Sequence, residues 1–186
     1  MTGFEDCVVL KPWGHEFQVF DDAKCSVWML HIKPGHGTSV HCHFGKRARF
    51  VPLVGTAVVR TNTDIHRLTF PRSVAVERCE FHAVGNGGAE PLKLIEIESP
   101  SDKADLFRLR DGYGRGQGYE GGASLVRDDL ARFGHFALHP NEPSVWMDGI
   151  GVWLSSHGLY AAAAGARNVQ SHRLHDADCV CVTEAA

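Results

Sequence analysis

Hydrophobic and polar residues in the first 100 positions form short runs without helical spacing. Runs rich in Val, Ile, Phe and Trp are separated by Pro, Gly and Asn clusters about every 8–12 residues, which is typical of β-sandwiches and β-barrels. The strands predicted in this way span residues 27–32, 40–44, 50–60, 67–70, 73–76 and 92–98. Pro52 lies inside one of these runs and indicates a sheet edge or a bulge there. We therefore expect an all-β barrel.

A glycine-rich segment ends this pattern. Six of the twelve residues at 111–122 are Gly, which predicts a loop or linker. We therefore divide the chain into a barrel over residues 1–120 and a mixed C-terminal extension over residues 121–186.

The extension combines helical and strand signals. It is predicted to contain a short helix at 125–133, a hairpin joining 144–147 to 150–154, and strands at 169–174 and 179–183. Gly134 would end the helix, and Asp148-Gly149 is a strong signal for a two-residue hairpin turn. The hairpin carries Trp146 and Trp153, so we expect it to cover a barrel face or to pair with another subunit.

The overall charge excludes a broad nucleic-acid surface. The 186 residues include 19 basic and 22 acidic side chains, giving a net charge of −3 and a pI near 6.4, whereas phosphate backbones require a basic face. No apolar run reaches the roughly 18 residues of a membrane span, and the first residues lack the pattern of an export signal. Six Cys without a Cys-x-x-Cys pair fit free thiols. We expect a cytoplasmic protein with neither nucleic-acid nor membrane partners.

Two histidines at alternating positions are the strongest chemical signal. His41 and His43 flank Cys42 in a predicted strand, where residues i and i+2 face the same side. Both imidazoles would point into the barrel, and His82 on a neighbouring strand could add a third nitrogen. Three histidines around an open position form a common site for zinc or non-haem iron. Taken alone, a pair of this kind also occurs as surface decoration.

The residues around these histidines resemble the cupin family. The matching residues belong to the two short motifs of that family: Pro34-Gly35, His41-x-His43 and Gly55 in the first, and His82 and Asn86 in the second. The resemblance covers about residues 8–120. It implies a cupin barrel, that is, a double-stranded β-helix or jelly roll. Because cupins host many activities, these motifs indicate the fold more than the function.

Two further segments resemble the cupins of type II mannose-6-phosphate isomerases, which are also the C-terminal domains of mannose-1-phosphate guanylyltransferases. The segments are KPWGHE at 11–16 and DGYGR at 111–115. The resemblance implies a divalent metal ion, with zinc preferred and iron, manganese or nickel as alternatives. It also implies a small anionic substrate such as a sugar phosphate, with Lys11 and Arg115 near its anion. Cupins often dimerise through strand exchange, so a homodimer is expected.

The sequence departs from the family at the expected carboxylate ligand. Cupins usually carry Glu seven residues before the glycine of the first motif, where this chain has Ala48. Three interpretations stay open: a three-His site as in thiol dioxygenases, a fourth ligand from Glu80 or His36, or a pocket that only binds. By strand parity Glu80 faces the same side as His82 and is the candidate ligand or general base. Arg115 is the second candidate catalytic residue.

A short basic run follows the histidine pair. Lys46, Arg47 and Arg49 would hold a phosphate or carboxylate if they lie at the barrel mouth, and otherwise form a solvated turn. The family resemblance thus implies a metal-binding cupin that acts on a phosphorylated sugar or nucleotide sugar, for example as an isomerase or epimerase. The alternatives are a three-His non-haem iron dioxygenase and a non-catalytic sugar-binding module.

Overall fold

The computed structural model describes residues 4–22, 24–119, 125–139, 141–142, 144–155, 158–164, 168–172 and 182–185. These residues form β-strands and one 3₁₀ turn, Leu130–Phe133, without any α-helix. The strands are β1 (Val8–Lys11), β2 (Gly14–Asp21), β3 (Ser26–Ile32), β4 (Val40–Cys42), β5 (Arg47–Val54), β6 (Ala57–Arg60), β7 (Ile65–Leu68), β8 (Val74–Val76), β9 (Ala83–Asn86), β10 (Leu92–Ser99), β11 (Phe107–Arg110), β12 (Leu125–Val126), β13 (Ser144–Met147), β14 (Ile150–Ser155), β15 (Gly158–Ala163), β16 (Asn168–His172) and β17 (Val182–Ala185). The described part of the chain contains no helix that could cross a membrane. The all-β prediction is confirmed.

Three antiparallel sheets enclose the barrel. A seven-stranded sheet in the order β12-β1-β2-β3-β10-β5-β8 forms one wall, and the sheets β7-β6-β9 and β11-β4 form the other. Isolated bridges between Gly37 and Gly85 and between His41 and His82 tie the second wall together. The interior between the walls holds a cluster of buried apolar side chains that includes Trp28, Phe50 and Leu94. The arrangement is a double-stranded β-helix.

The large sheet is buried on both faces, which explains why its strand β3 is apolar at almost every position. In β3, Trp28, Leu30 and Ile32 face the barrel interior, whereas Val27 and Met29 belong to a second buried cluster on the opposite face. The C-terminal extension covers that opposite face. A strand covered on both sides needs apolar residues at odd and even positions alike.

The extension forms its own sheet, in the order β13-β14-β15-β16-β17. Its first hairpin turns at Asp148 and Gly149, whose φ angles of 48° and 78° lie in the left-handed region that a two-residue turn requires. Val152 and Leu159 are buried against the barrel, while Trp146 points outward and is 66% exposed. The hairpin prediction is confirmed, and the hairpin covers a barrel face.

The predicted helix at 125–133 is wrong. β12 pairs with β1, because Leu125 packs towards the barrel interior and Val126 towards the outer face, an alternation that only a strand provides. Asp129 then adopts a left-handed φ of 50°, which interrupts any helix before the 3₁₀ turn. Gly134, with a φ of 66°, ends that turn where a helix end was predicted.

Other boundaries differ in detail. β12 belongs to the barrel sheet although it lies beyond the predicted domain boundary at residue 120. The predictions did not include β1, β2, β9, β11 and β15. The strands predicted at 169–174 and 179–183 overlap β16 and β17, and the rest of those ranges, including Cys179 and Cys181, lies outside the described residues.

Candidate metal centre and its cavity

Three histidines converge inside the barrel. β4 carries His41, and His43 follows directly after this strand. His82 lies opposite His41, since each backbone N–H donates to the other residue's carbonyl, at 3.0 and 2.8 Å. Opposite residues of an antiparallel pair project to the same side, as do residues i and i+2. One ring nitrogen of each histidine therefore lies within 4.8 Å of the others, and the residues are only 7, 2 and 1% exposed. We call His41, His43 and His82 the histidine triad.

A backbone carbonyl orients each imidazole of the triad. The acceptors are Ser39 O for Nδ1 of His41 at 2.9 Å, Asp105 O for Nδ1 of His43 at 2.5 Å, and Glu80 O for Nδ1 of His82 at 3.0 Å. Because a carbonyl oxygen only accepts, each Nδ1 carries the hydrogen and each Nε2 keeps its lone pair. Nε2 of His43 and of His82 is buried without a hydrogen-bond partner among the described residues. Lone pairs held in this way fit a divalent metal ion.

Burial keeps the triad in the form that binds metal. Desolvation is the largest cause that lowers the pKa of each of the three imidazoles. The pKa of His43 falls to about 4, with Lys46 adding to the effect of desolvation. Metal ligation requires neutral imidazole, so the triad is ready for a metal ion at neutral pH.

Two carboxylates of β10 lie beside the triad. Glu96 and Glu98 share the inward face of β10 with Leu94, because side chains alternate along a strand. They are 6 and 1% exposed, and an oxygen of each lies within 4.8 Å of a ring nitrogen of His43. Glu98 is the cross-strand partner of Ala48 on β5. The carboxylates of Glu96 and Glu98 therefore lie on the inward face, beside Ala48.

Glu98 is the centre of a buried ionic network. Its Oε1 lies 2.7 Å from Lys46 Nζ and 3.7 Å from Lys103 Nζ, while Ser26 Oγ donates to its Oε2 at 3.2 Å. Burial alone would raise the pKa of Glu98, but Lys103 and Lys46 outweigh burial and lower it. Burial, together with the charge of Glu98, raises the pKa of Glu96 towards neutrality. One carboxyl is thus held ionised while its neighbour holds a proton more readily.

These groups line a cavity that opens to solvent. Its charged lining consists of five basic side chains, Lys11, Lys46, Lys103, Arg108 and Arg115, and three acidic ones, Glu16, Glu96 and Glu98. Trp13, Phe50 and Tyr119 contribute aromatic surface. The excess of basic groups favours an anionic ligand with an apolar or sugar-like body.

Contacts within the protein hold the cavity cations in place. Lys103 Nζ lies 3.9 Å from the centroid of the Trp28 ring and 3.8 Å from a carboxylate oxygen of Glu16. Arg115 donates to Asp111 through Nη2 at 2.6 Å and through Nε at 3.1 Å. These cations are therefore positioned before any ligand arrives, which reduces the entropy lost on binding.

Only some of the substrate-binding residues predicted from the sequence line the cavity. Lys11, Lys46 and Arg115 line the cavity beside the triad, but Arg47 and Arg49 do not. The residues between and after these two arginines, Ala48 and Phe50, face inward, so alternation along β5 places the arginines on the other face. There Arg47 pairs with Glu77 at 2.7 Å, and Arg49 donates to Ser73 Oγ at 3.0 Å.

Glu80 also lies outside the cavity lining. Its carboxylate accepts from the backbone N–H of Glu77 at 3.0 Å, and only its carbonyl reaches His82. The parity argument does not hold because Glu80 lies in the turn before β9 and not in a strand. The geometry moves the candidate carboxylate from position 80 to positions 96 and 98.

Several cavity residues were not anticipated from the sequence. They are Glu16, Glu96, Glu98, Lys103, Arg108 and Tyr119. The alternation of Glu96, Ile97 and Glu98 at the end of an apolar strand was a visible signal for inward-facing acids. Glu16 and Lys103 carried no such signal, because their role depends on which strands and loops meet in space.

The barrel topology and the histidine triad define the class of protein as a cupin. The sequence matches the family Mannose-6-phosphate isomerase C-terminal over residues 4–111, which is more than half of the chain. The chain belongs to this family.

Curated relatives agree with this assignment, and a solved structure shares the fold. The chain is 33% identical over 109 residues to mannose-1-phosphate guanylyltransferase ManC of Salmonella typhimurium, covering 58% of this chain and 23% of that protein. It is 31% identical over 121 residues to the alginate biosynthesis protein AlgA of Pseudomonas fluorescens, covering 64% of this chain and 25% of that protein. The capsular polysaccharide assembling protein CapF of Staphylococcus aureus has a similar fold, with a TM-score of 0.50, 18% identity and coverage of 56% of this chain and 34% of that chain. The match therefore spans about a quarter of the curated relatives.

Proposed function

We propose that the protein is a metal-dependent isomerase or epimerase for a phosphorylated sugar, with a hexose 6-phosphate as the first candidate substrate. The observation that carries this proposal is the histidine triad at the edge of a cavity in which basic groups outnumber acidic ones. The family to which the chain belongs is described by a mannose-6-phosphate isomerase domain, which supports the choice of substrate.

The triad would hold the metal ion. His41, His43 and His82 each present an Nε2 lone pair while Nδ1 is fixed by a carbonyl, and zinc is the preferred ion for neutral imidazoles in a closed pocket. A bound divalent ion supplies Lewis-acid polarisation of a sugar carbonyl or hydroxyl.

The cavity cations would bind the phosphate. Lys11, Lys103 and Arg115 lie on the cavity lining and are held by neighbouring acidic or aromatic groups. Charge-assisted hydrogen bonds from such groups are roughly twice as strong as neutral ones. Their position fixes the sugar by its phosphate and leaves its reacting carbons to the rest of the cavity.

Glu96 would move the proton between neighbouring carbons. Aldose–ketose isomerisation needs a group that takes a proton from one carbon and returns it to the next, and a pKa near the working pH suits that task. Burial and the charge of Glu98 raise the pKa of Glu96 towards neutrality, as this task requires. Glu96 takes the place of Glu80, which lies outside the cavity.

The iron dioxygenase alternative loses its main support. It depended on the lack of a carboxylate at position 48, but Glu96 and Glu98 lie within 4.8 Å of the ligating atom of His43. The non-catalytic alternative predicts binding of a sugar phosphate without turnover. The homodimer and the cytoplasmic location stay predictions.

The test is turnover in D₂O. Zinc-loaded protein is incubated with mannose 6-phosphate or fructose 6-phosphate, and NMR follows both interconversion and deuterium at C1 and C2. We expect turnover with deuterium uptake, and a rate about 10²–10⁴-fold lower in Glu96→Gln, the usual contribution of general acid–base catalysis. The matched control is Glu90→Gln, an exposed acid outside the cavity, which keeps the wild-type rate.

Two results would overturn the proposal. One is the absence of binding and turnover with every hexose phosphate tested. The other is oxygen consumption by iron-loaded protein with a thiol or a diketone in the absence of sugar-phosphate turnover, which selects the dioxygenase.

A further inference from the structure

We infer that Glu98 of β10 supplies the carboxylate of the metal centre and so replaces, from the neighbouring strand, a ligand that Ala48 of β5 cannot provide. The inference rests on the metal site of the proposed function but not on its substrate. It assigns to a buried ion pair a role in holding the metal ion.

The first argument is proximity to an unpartnered ligand atom. Glu98 and His43 belong to a group whose potential ligand atoms all lie within 4.8 Å of one another, and His43 also belongs to the triad. Both residues are almost fully buried, at 1 and 2% exposure. Nε2 of His43 has no hydrogen-bond partner among the described residues. A metal ion bound to His43 would therefore have the carboxylate of Glu98 within reach.

The second argument is strand register. Glu98 and Ala48 are directly opposite on β10 and β5. Opposite residues of an antiparallel pair have Cβ atoms about 4.5–5.5 Å apart and face the same side. Ala48 is buried on the inward face and ends at Cβ. A carboxylate on a longer side chain at position 98 thus faces the same space as one at position 48.

The third argument is charge. Three neutral imidazoles leave the full charge of a dication uncompensated in a buried site, which is unfavourable without a nearby anion. The carboxylate of Glu98, which lies 2.7 Å from Lys46 Nζ and 3.7 Å from Lys103 Nζ, stands beside His43, where such an anion is needed. A carboxylate has two oxygens with about four lone-pair sites and can bind a lysine and a metal ion at once.

The test exchanges the carboxylate between the two strands. Zinc and cobalt affinities are measured by calorimetry for the wild type, for Glu96→Gln, for Glu98→Gln and for the double variant Ala48→Glu/Glu98→Gln. The visible absorption spectrum of the cobalt form reports on the ligand set. Glu80→Gln is the matched control, because Glu80 lies beside His82 in sequence but its carboxylate is bonded to Glu77.

We expect Glu98→Gln to lose about 100-fold in affinity and to change the cobalt spectrum. The double variant should recover to within about tenfold of the wild type, whereas Glu80→Gln should stay within about twofold. Circular dichroism and thermal unfolding establish that each variant is folded. If Glu98→Gln does not fold, the double variant alone decides: wild-type-like affinity supports the inference, and loss of affinity overturns it.

Other outcomes overturn the inference separately from the proposed function. Folded Glu98→Gln with wild-type affinity and spectrum overturns it, as does loss of affinity in Glu96→Gln alone. If either result occurs while the wild type still interconverts hexose phosphates, the proposed function survives and only the role of Glu98 is wrong. If Glu98 controls metal affinity but no sugar phosphate reacts, the role of Glu98 is supported and the proposed function is wrong.

Discussion

Asp105 organises the loop that carries the candidate metal ligand His43. Its carboxylate accepts the backbone N–H groups of Phe44, Gly45 and Lys46 at 2.9, 2.8 and 3.1 Å. Its backbone carbonyl separately accepts Nδ1–H of His43. The change Asp105→Ala therefore releases the loop between His43 and Lys46 and leaves the carbonyl acceptor chemically intact.

The magnitude follows from those three hydrogen bonds. A hydrogen bond to a charged group contributes about 1.5–3 kcal/mol, but water can replace the acceptor where the loop is exposed, so the net loss is about 2–3 kcal/mol. For a chain of this size that corresponds to a melting temperature lower by about 4–12 °C. Groups that orient metal ligands from outside typically affect metal affinity about 10–100-fold, and we expect zinc affinity to fall within that range.

The assay combines thermal unfolding with zinc calorimetry. Asp102→Ala is the matched control. Among the described residues the Asp102 carboxylate accepts one N–H, that of Ala104 in the neighbouring turn, and the Asp102 backbone carbonyl, which accepts from Lys46, is kept. The pKa of Asp105 is lowered, since its bonds with the N–H groups of Phe44 and Gly45 outweigh burial. Its carboxylate is thus ionised at pH 7, and the effect should be complete there. Equal melting temperature and zinc affinity in Asp105→Ala and Asp102→Ala would refute the reasoning.

Three further predictions concern acid stability, the extension and the substrate anion. In metal-free protein the free energy of unfolding should fall as the pH drops from 6.5 to about 4, because unfolded His43 binds a proton there while folded His43 does not. This residue contributes about 3 kcal/mol to the loss, and pH-dependent denaturant unfolding with and without zinc measures it. Leu159→Ala should cost about 2–5 kcal/mol in chemical denaturation, since Leu159 of the extension is buried against the barrel, whereas Trp146→Ala, at an exposed position, should cost little. Equal effects would contradict the packing described. Arg115→Lys should raise KM for a hexose phosphate about tenfold with kcat almost unchanged, because Lys cannot keep the two-atom contact with Asp111. A KM equal to that of the wild type would count against phosphate binding at Arg115.

The strands that could be predicted from the sequence are those with apolar residues on both faces. β3 and β10 both place apolar residues on their two faces, so they stood out as β-prone runs. β2 did not, because its inward positions include Glu16 and Gln18, which are buried and polar, while Phe17 and Val19 face the extension. The apolar side of β2 points away from the barrel interior. A pattern of this kind is visible only once a second layer is known to cover the outer face.

The histidines were predictable for a simple geometric reason. Two side chains at i and i+2 on a strand share a face whatever the rest of the fold does. The alternation of Glu96 and Glu98 indicated a shared face, but their place in the site was not predictable, because it depends on the register between β5 and β10, which places Glu98 opposite Ala48 across about 50 residues of sequence. The prediction that Glu80 faces the site was wrong, because it assumed the alternation of a strand for a residue that lies in a turn.

The buried ionic network is better explained by ligand binding than by stability. Replacing a buried ion pair by apolar residues of similar size is often neutral or stabilising, so the contact of Lys46 with Glu98 and that of Lys103 with Glu16 are weak contributors to folding. The same groups line the cavity next to the triad, whereas the buried cluster that includes Trp28 and Leu94 is apolar. The second apolar layer under the extension adds burial that a barrel with a charged interior lacks. The fold can therefore keep lysines and carboxylates inside the barrel because part of its stability comes from the outer face of the sheet.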